Sequence, residues 1–338
     1  MDVVPLSLDS PEPLLREWAA LDAAIQAELM PDLDPPPYAQ SLRNLQPVAH
    51  LNRWGVAAVD GAQVVGAGLC RSFLSDNRHL CEVDLYVAKG RRREGVGSAL
   101  LSRVAAVAGR DGRTTIVGYA AAGSAGLDFA TALGAVEKQG ELRSSLDVST
   151  LDREALAGEL AAAEAASVDY ELLRWSGVCP EDLLAAYAGV ADAMNDAPRG
   201  ELDMEDVVAE PERMRVRAQT VLATGARPYV VVARRTGDAE LAGFTELTVA
   251  PGGGTGYQED TGVARAHRGH RLGMRVKAAM LAWLATEEPR LRVVTTWNAE
   301  NNEHMLAVNR QLGFVAQERW SALEVDVAAI RSRAAAAV

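Results

Sequence analysis

Two short clusters of glycine and arginine have the residue types needed to bind phosphate. The first spans residues 90–97 (GRRREGVG), and the second spans residues 267–273 (HRGHRLG). Each follows a predicted strand and leads directly into a predicted helix. The start of a helix presents backbone N–H groups without helical partners and the positive end of the helix dipole, and glycine lets a ligand approach the backbone closely. The sequence therefore predicts a diphosphate site at each cluster.

The familiar nucleotide loops do not match these clusters. Neither carries the Gly-Lys-Ser/Thr of a P-loop, and EGVGSAL at residues 94–100 lacks the third glycine of the dinucleotide fingerprint. A nucleoside triphosphatase and a nicotinamide-dependent enzyme are both disfavoured.

The elements that must position the clusters recur in the same order in both halves. A predicted hairpin is followed by a strand, the cluster and a helix, and Gly66 precedes Arg92 by nearly the same distance as Gly243 precedes Arg268. This match indicates a duplicated α/β unit. We predict an N-terminal domain over residues 1–150, a linker or bridging helix over 151–169 and a C-terminal domain over 170–330.

Alternation along the third predicted strand of the first half, residues 79–89, separates two faces. One carries valine and leucine side chains (Val83, Leu85, Val87), and the other carries polar ones (Glu82, Asp84, Tyr86). In the second half a helix is predicted from about Met204 to Ala223. The polar stretch 193–203 before it is predicted to be a loop that could line an acceptor pocket.

Composition narrows the choice of partners. The 338 residues include 34 Lys and Arg against 46 Asp and Glu, a net charge of −12. Such a chain repels polyanions on average, so nucleic acid and acidic membrane surfaces are disfavoured, and a small cationic substrate fits better. The three cysteines lie far apart, and no signal-like or membrane-spanning apolar run is visible, so we expect a cytoplasmic protein.

The fuller pattern around both clusters resembles the GNAT superfamily of N-acetyltransferases. Val87-x4-Arg92-Arg-Glu-Gly95-Val-Gly97 is similar to the acyl-CoA loop of that family, Q/R-x-x-G-x-G/A after a strand, and Val263-x4-Arg268-Gly-His-Arg271-Leu-Gly273 resembles a second copy. Residues 302–314 (NEHMLAVNRQLGF) are similar to its later N-x-x-A-x-x-x-Y-x-x-x-G-F block. The resemblance implies an α/β fold of two tandem GNAT-like domains, each a mixed, mostly antiparallel sheet flanked by helices.

The same resemblance implies acetyl-CoA as co-substrate and assigns residues to it. Pantetheine would bond the backbone near Leu85 and Val87, or near Thr261 and Val263, with Asn302 as a further contact or a helix cap. The diphosphate would rest on one of two loops, formed by Arg92, Arg93, Gly95, Val96, Gly97 and Ser98, or by Arg268, Gly269, His270, Arg271, Leu272 and Gly273. No metal is implied, since His267 and His270 lack a visible third ligand.

The implied chemistry is direct attack of a primary amine on the thioester, with a carboxylate accepting the amine proton. The spacing of Glu259 before Arg268 is similar to that of the base in polyamine-type acetyltransferases, and Asp260 is the rival. Strict strand alternation would let only one of them face the cleft. Asn309 stands where the family has an acidic tyrosine, and an amide cannot supply a proton, so Tyr257 or water is expected to assist the leaving thiolate.

Departures from the family pattern leave the roles of the halves open. Arg271 replaces the first loop glycine of the second half, and the first half lacks the downstream block. We predict that the C-terminal domain transfers the acetyl group to a small amine. The N-terminal domain is predicted to bind CoA or to have a structural role. The opposite assignment, and a CoA-binding sensor or scaffold without transfer activity, remain alternatives. An oligomer is possible.

Overall fold

A computed structural model describes residues 1–48 and 50–336. In the first part of the chain the elements are β1 (Asp2–Leu6), α1 (Glu12–Leu29), α2 (Tyr38–Arg43), β2 (Leu51–Asp60), β3 (Gln63–Phe73), β4 (Leu80–Val87), α3 (Val96–Arg110), β5 (Thr115–Ala121), α4 (Ala125–Ala132) and β6 (Val136–Asp147). They are followed by α5 (Arg153–Ala165), β7 (Tyr170–Ser176), α6 (Glu181–Ala191), α7 (Pro211–Leu222), β8 (Arg227–Arg235), β9 (Leu241–Val249), β10 (Thr255–Val263), α8 (Leu272–Glu287), β11 (Val293–Ala299), α9 (Glu303–Gln311), β12 (Val315–Asp326) and α10 (Val327–Ala336).

The chain forms two compact units that do not correspond to a single cut in the sequence. Unit 1 comprises Met1–Glu141, Arg199–Glu205 and Arg319–Val338, and unit 2 comprises Leu142–Pro198 and Asp206–Glu318. The boundaries between the units fall within two strands. Of β12, the residues from Arg319 onward belong to unit 1, and of β6, the residues from Leu142 onward belong to unit 2.

The sheet of unit 1 has the order β1-β2-β3-β4-β5-β12. All neighbouring pairs are antiparallel except β4 and β5, which are parallel. On one face Val83, Leu85 and Val87 pack in a cluster with α3 and α10, and on the other face Tyr86 packs in a cluster with Trp18 of α1. The two predicted faces of the strand are thus confirmed, and the sheet lies between two helical layers.

The sheet of unit 2 has the order β7-β8-β9-β10-β11-β6, in which β10 and β11 are parallel while β7, β8, β9 and β10 pair antiparallel in turn. Helices α5 and α8 pack on one face through Leu156, Ala163 and Met280, while α6 packs on the other through Leu184 and Tyr187. Two mixed sheets flanked by helices confirm the predicted fold class. Segment 151–169, predicted as a linker or bridging helix, contains α5.

The prediction for α7 was wrong at its start. The helix begins at Pro211 rather than near Met204. Proline fixes φ and has no N–H to donate, so it suits the first turn of a helix. Upstream, the N–H groups of Glu205 and Ala209 donate to the side chains of Asn77 and Asp192, bonds that hold residues 204–210 in a non-helical path.

No helix within residues 1–48 and 50–336 is both long and apolar enough to cross a membrane.

Candidate functional site

In unit 2 the parallel strands β10 and β11 separate partway along their length. They pair only from Thr255–Val293 to Tyr257–Thr295, while β10 continues beside β9 as far as Val263. Beyond Tyr257 the edges of the two strands face a gap instead of each other. Thr261 and Val263, the residues predicted to contact pantetheine, lie on the β10 side of this gap. The gap gives an extended ligand access to strand backbone.

A β-bulge interrupts β10 at the start of the gap. The register against β9 shifts between Gln258 and Thr261, which places Glu259 and Asp260 in the bulge. Asp260 Oδ2 lies 3.3 Å from Arg217 Nη1, and both carboxylates raise the pKa of Arg217 by their charge. A bulge breaks the regular alternation of side chains on which the expectation that only one of the two faces the cleft was based. Glu259 lines the cavity described below, and that only one of the pair faces the cleft stays a prediction.

Arg217 bridges a second carboxylate on the neighbouring strand. Its Nη2 lies 3.1 Å from Glu246 Oε2 on β9, and Glu246 also accepts a hydrogen bond from the Tyr187 hydroxyl. Burial raises the pKa of Glu246 and that of Tyr187. The charge of Glu246 is the main reason that the pKa of Arg217 is raised. Three carboxylates thus surround one guanidinium, which leaves this face of the sheet negative.

A cavity opens beside these charges. Aromatic and sulfur-containing side chains form much of its wall, and Glu246, Glu259 and Arg217 contribute the charged part. The apolar residues that line it include Trp175, Tyr187, Met214, Val221 and Tyr229. An organic cation with an apolar body matches such a lining.

The loop before α8 has two left-handed residues, Gly269 (φ 86°) and Arg271 (φ 54°). Leu272 and Gly273 open the helix, and its first bond runs from the N–H of Arg275 to the carbonyl of Arg271. The N–H groups of residues 272–274 therefore precede the helical ladder and face outward at its start. His270 is exposed on the same loop. A second cavity lies between α8 and α9, and the residues that line it include Arg271, Met274 and His304.

Arg268 holds this loop in shape. Its Nε donates to the Val263 carbonyl at 3.1 Å, and its Nη2 lies 2.7 Å from Asp196. Arg271 forms an ion pair with Glu159 at 2.7 Å. Both arginines predicted to bind phosphate therefore already contact protein groups. Arg268 links the end of β10 to Asp196 across the loop.

Unit 1 has the same loop geometry. Arg93 (φ 66°) and Gly95 (φ 81°) are left-handed, and Val96, Gly97 and Ser98 begin α3 ahead of its first bond, from Ala99 to Gly95. Arg92 again donates through Nε to the last strand carbonyl, Val87, at 3.2 Å, and its other nitrogens bond Glu28. The strand gap also recurs, because β4 pairs with β5 only from Leu80 to Glu82, and Leu85 and Val87 lie beyond.

In the downstream block of unit 2, residues 302–314, two asparagines form side-chain hydrogen bonds. Asn302 caps α9 by accepting the N–H of Met305 at 3.2 Å. Asn309 is 1% exposed and donates through Nδ2 to Asn298 Oδ1 at 2.7 Å. Tyr257, the predicted substitute for the missing tyrosine, is half-buried on β10 at the last paired position before the gap.

The histidines near the loop are structural in their contacts. His267 is buried, its Nδ1 lies 3.0 Å from the Tyr170 hydroxyl, and its Nε2 lies 3.4 Å from Glu240. Within the part of the chain that the structure describes, no group of three His, Cys, Asp or Glu side chains could hold a metal ion.

Sequence reasoning missed Arg217, Glu246 and Tyr187. Glu246 carries a visible signal, since it is the one charged residue in the apolar strand LAGFTELTV. Arg217 and Tyr187 lie on amphipathic helices where such residues are common, and nothing in their spacing distinguishes them.

Comparisons with known proteins agree with this geometry. The model of the acetyltransferase (GNAT) family matches residues 18–134 and 191–314, and the chain belongs to that family. Among solved structures it is similar to a tandem GNAT protein from the clavulanic acid biosynthesis pathway, with 28% identity, a TM-score of 0.80, and 96% of this chain and 98% of that one covered.

A GCN5-related N-acetyltransferase from Sphaerobacter thermophilus is also similar, with 16% identity, a TM-score of 0.65 and 96% of each chain covered; at this identity the likeness concerns the fold alone. No curated protein matches the chain.

Proposed function

We propose that the protein transfers the acetyl group of acetyl-CoA to a primary amine of a small molecule, and that unit 2 performs the transfer. The observation that carries this proposal is the bulge of β10, which sets Glu259 and Asp260 at the opening of the strand gap. The start of α8, which can bind the diphosphate, follows β10 through a short loop. The gap would hold pantetheine between these two features.

The carboxylates of unit 2 have separate roles in the proposed transfer. Glu259 lines the cavity and takes a proton from the ammonium group of the acceptor, directly or through water, which leaves a neutral amine that can attack. Asp260 and Glu246 hold Arg217 and keep the surroundings negative, which favours a cationic acceptor. The amine nitrogen attacks the thioester carbonyl carbon, the C–S bond breaks, and CoA leaves as a thiolate, a tolerable leaving group at the ordinary thiol pKa of about 8.5.

Two further observations support the class of acceptor. Much of the cavity lining is apolar, which suits an acceptor with an apolar part, and the net charge of −12 favours cations in general. The tandem relative, 28% identical, belongs to the biosynthetic pathway of a small molecule, which favours a small acceptor over a protein. We place this reaction in the cytoplasm.

A sensor that binds CoA without transfer is the second candidate. It is favoured by Asn309, which occupies the position of the family's tyrosine and is buried and bonded to Asn298. A buried amide supplies no proton to a leaving thiolate.

Thiol release from acetyl-CoA with a panel of primary amines separates the two. The Glu259→Gln variant is expected to lower kcat by about 100-fold or more, the range typical of a general base, with the KM for acetyl-CoA nearly unchanged. Glu287→Gln, on the exposed end of α8, is the matched control. Saturable binding of acetyl-CoA without turnover of any amine would instead establish the sensor.

A further inference from the structure

The strand gap of unit 1 has its own set of polar side chains. Past Glu82 and Val117, β4 and β5 no longer pair, and the next residues on the same face of the two strands are Asp84 and Tyr119. Asp84 and Tyr119 are partly open to solvent, with 43% of the Asp84 side chain and 37% of Tyr119 exposed. A carboxylate on one strand thus faces the gap together with a phenol on the other.

An arginine fixes the carboxylates on β4. Arg71 Nη2 lies 2.7 Å from Glu82 Oε1, and its Nη1 lies 2.9 Å from Asp84 Oδ2. Burial is the largest cause that raises the pKa of Tyr119, and the charges of Glu82 and Glu141 raise it further, so the phenol keeps its proton and can donate a hydrogen bond. Three carboxylates with one arginine leave this face negative, as in unit 2.

The polar segment Arg199–Glu205 crosses the same face at the level where the gap opens. The backbone N–H of Glu201 donates to the Lys138 carbonyl of β6, and the backbone N–H of Asp203 donates to Glu324 Oε1 of β12, each at 2.9 Å. Glu324 pairs with Val117, which pairs with Glu82, so these three side chains point to one face.

The far end of this segment is fixed by reciprocal bonds. Glu205 N–H donates to Asn77 Oδ1, and Asn77 N–H donates to Glu205 Oε2, both at 2.7 Å. The crossing segment is therefore fixed at both ends, and between them it contacts Glu324 on the face that also carries Glu82. It includes part of the loop predicted from the sequence to line an acceptor pocket.

We propose that unit 1 holds a second acyl-transfer site for a cationic primary amine, in which Asp84 accepts the amine proton, Tyr119 donates a hydrogen bond to the leaving sulfur and segment Arg199–Glu205 floors the acceptor pocket. This proposal goes beyond the activity assigned to unit 2, and it shares with that activity the use of acetyl-CoA and of a primary amine as acceptor. The loop of Arg92 to Ser98 lies at the end of the same strand, where it can hold the diphosphate.

The reaction balances with groups that are present. The amine nitrogen forms a bond to the acyl carbon, and the C–S bond breaks with its electron pair going to sulfur. The amine proton passes to the Asp84 carboxylate and then to water. The thiolate leaves bonded to the Tyr119 hydroxyl and takes a proton from water.

The test uses the full chain with unit 2 silenced by Glu259→Gln and Asp260→Asn. Thiol release from acetyl-CoA is followed with primary amines from 1,4-diaminobutane to 2-phenylethylamine. Residual turnover is expected with at least one amine that is not the preferred acceptor of unit 2, and added Asp84→Asn is expected to lower the kcat for that amine by about 100-fold with the KM for acetyl-CoA nearly unchanged. The control Asp128→Asn, on exposed α4 of the same unit, should leave it unchanged.

If the Asp84→Asn variant does not fold, Tyr119→Phe, which removes a single hydroxyl, provides the test of the second site. Tyr119→Phe is expected to lower the residual kcat by about 10-fold at an unchanged melting temperature. Loss of all turnover on silencing unit 2 would overturn the second site while supporting the activity of unit 2. Full turnover after silencing, abolished by Asp84→Asn, would support the second site and contradict the activity of unit 2.

Discussion

Lys277 is a residue whose charge the fold suppresses. It lies on α8 with 2% exposure, its Nζ 5.5 Å from the centre of the Phe314 ring, and burial lowers its pKa to about 7. The unfolded chain keeps this proton up to about pH 10, so the native state is penalised at and below pH 7 and gains stability as the pH rises from 7 towards 10.

Lys277→Met is accordingly expected to raise the free energy of unfolding on the order of 4 kcal/mol at pH 6, with the gain shrinking towards pH 10. Urea unfolding at pH 6, 7.5 and 9 measures this difference. Lys89→Met, at an exposed position, should leave the pH profile unchanged. An equal gain at all three pH values would show that Lys277 titrates normally.

Arg271 combines a charge with a left-handed backbone, φ 54°. Its ion pair with Glu159 is partly exposed and contributes little. Alanine keeps the Cβ that makes this conformation costly, whereas glycine removes it. Arg271→Gly is therefore expected to be about 1 kcal/mol more stable than Arg271→Ala in chemical denaturation. Equal stability of the two variants would show that the loop adopts another conformation in solution.

Some residues of the candidate site could be predicted from the sequence and others could not. The loop arginines and the pair Glu259 and Asp260 stand at fixed distances along one strand and helix, so local spacing reveals them. Arg217 reaches Asp260 from a helix more than forty positions earlier in the chain. Only tertiary packing brings that pair together, and one sequence carries no sign of it.

At the scale of elements, α9 depends on the cap that Asn302 supplies. Asn302→Ala is expected to cost about 1 kcal/mol of stability, while Asn302→Asp keeps the capping oxygen and should cost less. Asn301→Ala removes a neighbouring amide as a control. If Asn302 only caps, Asn302→Asp leaves the KM for acetyl-CoA unchanged; a large rise in that KM would show contact with pantetheine instead.

The crossing segment approaches β6 so closely that residue 200 must be glycine. A Cβ on Gly200 would lie 2.4 Å from the Lys138 carbonyl oxygen, and φ is 58°. Gly200→Ala is expected to detach the segment, with faster amide exchange over residues 75–79 and 199–205 by mass spectrometry. Gly61→Ala matches the left-handed φ but has nothing within 4 Å, so exchange at those residues should not change.

The strands show where element prediction succeeds. Alternation in β4 predicts both of its faces, because the strand is regular through to Val87. The bulge in β10 has no such signature, since Gln258, Glu259 and Asp260 are all polar and fit either register. The start of α7 was missed because bonds to Asn77 and Asp192, distant in sequence, compete with the helix.

At the scale of the whole molecule, the two units share a plan but differ in how they build their polar faces. In unit 1 the bridging arginine is Arg71, on strand β3, and in unit 2 it is Arg217, on helix α7. Each bridges two carboxylates. Repetition in the sequence predicts the common sheet order, but it does not predict which element supplies the bridging arginine in each unit.

The membership of β6 and β12 was also invisible in the sequence. Both follow the glycine that ends a helix, and the predicted domain bounds, 1–150 and 170–330, assign β6 to the first half and β12 to the second. Residues Leu142–Asp147 nevertheless belong to unit 2, and Arg319–Asp326 belong to unit 1. Strand choice at this point depends on pairing partners rather than on local propensity.

Calorimetric titration of the full chain with acetyl-CoA examines the proposal that the strand gap and the helix start of each unit bind the same ligand. We expect saturable heat that reaches two equivalents per chain, with the binding of one equivalent weakened by Gly97→Asp and that of the other by Gly273→Asp. No saturable heat and no thermal protection at millimolar acetyl-CoA would contradict it.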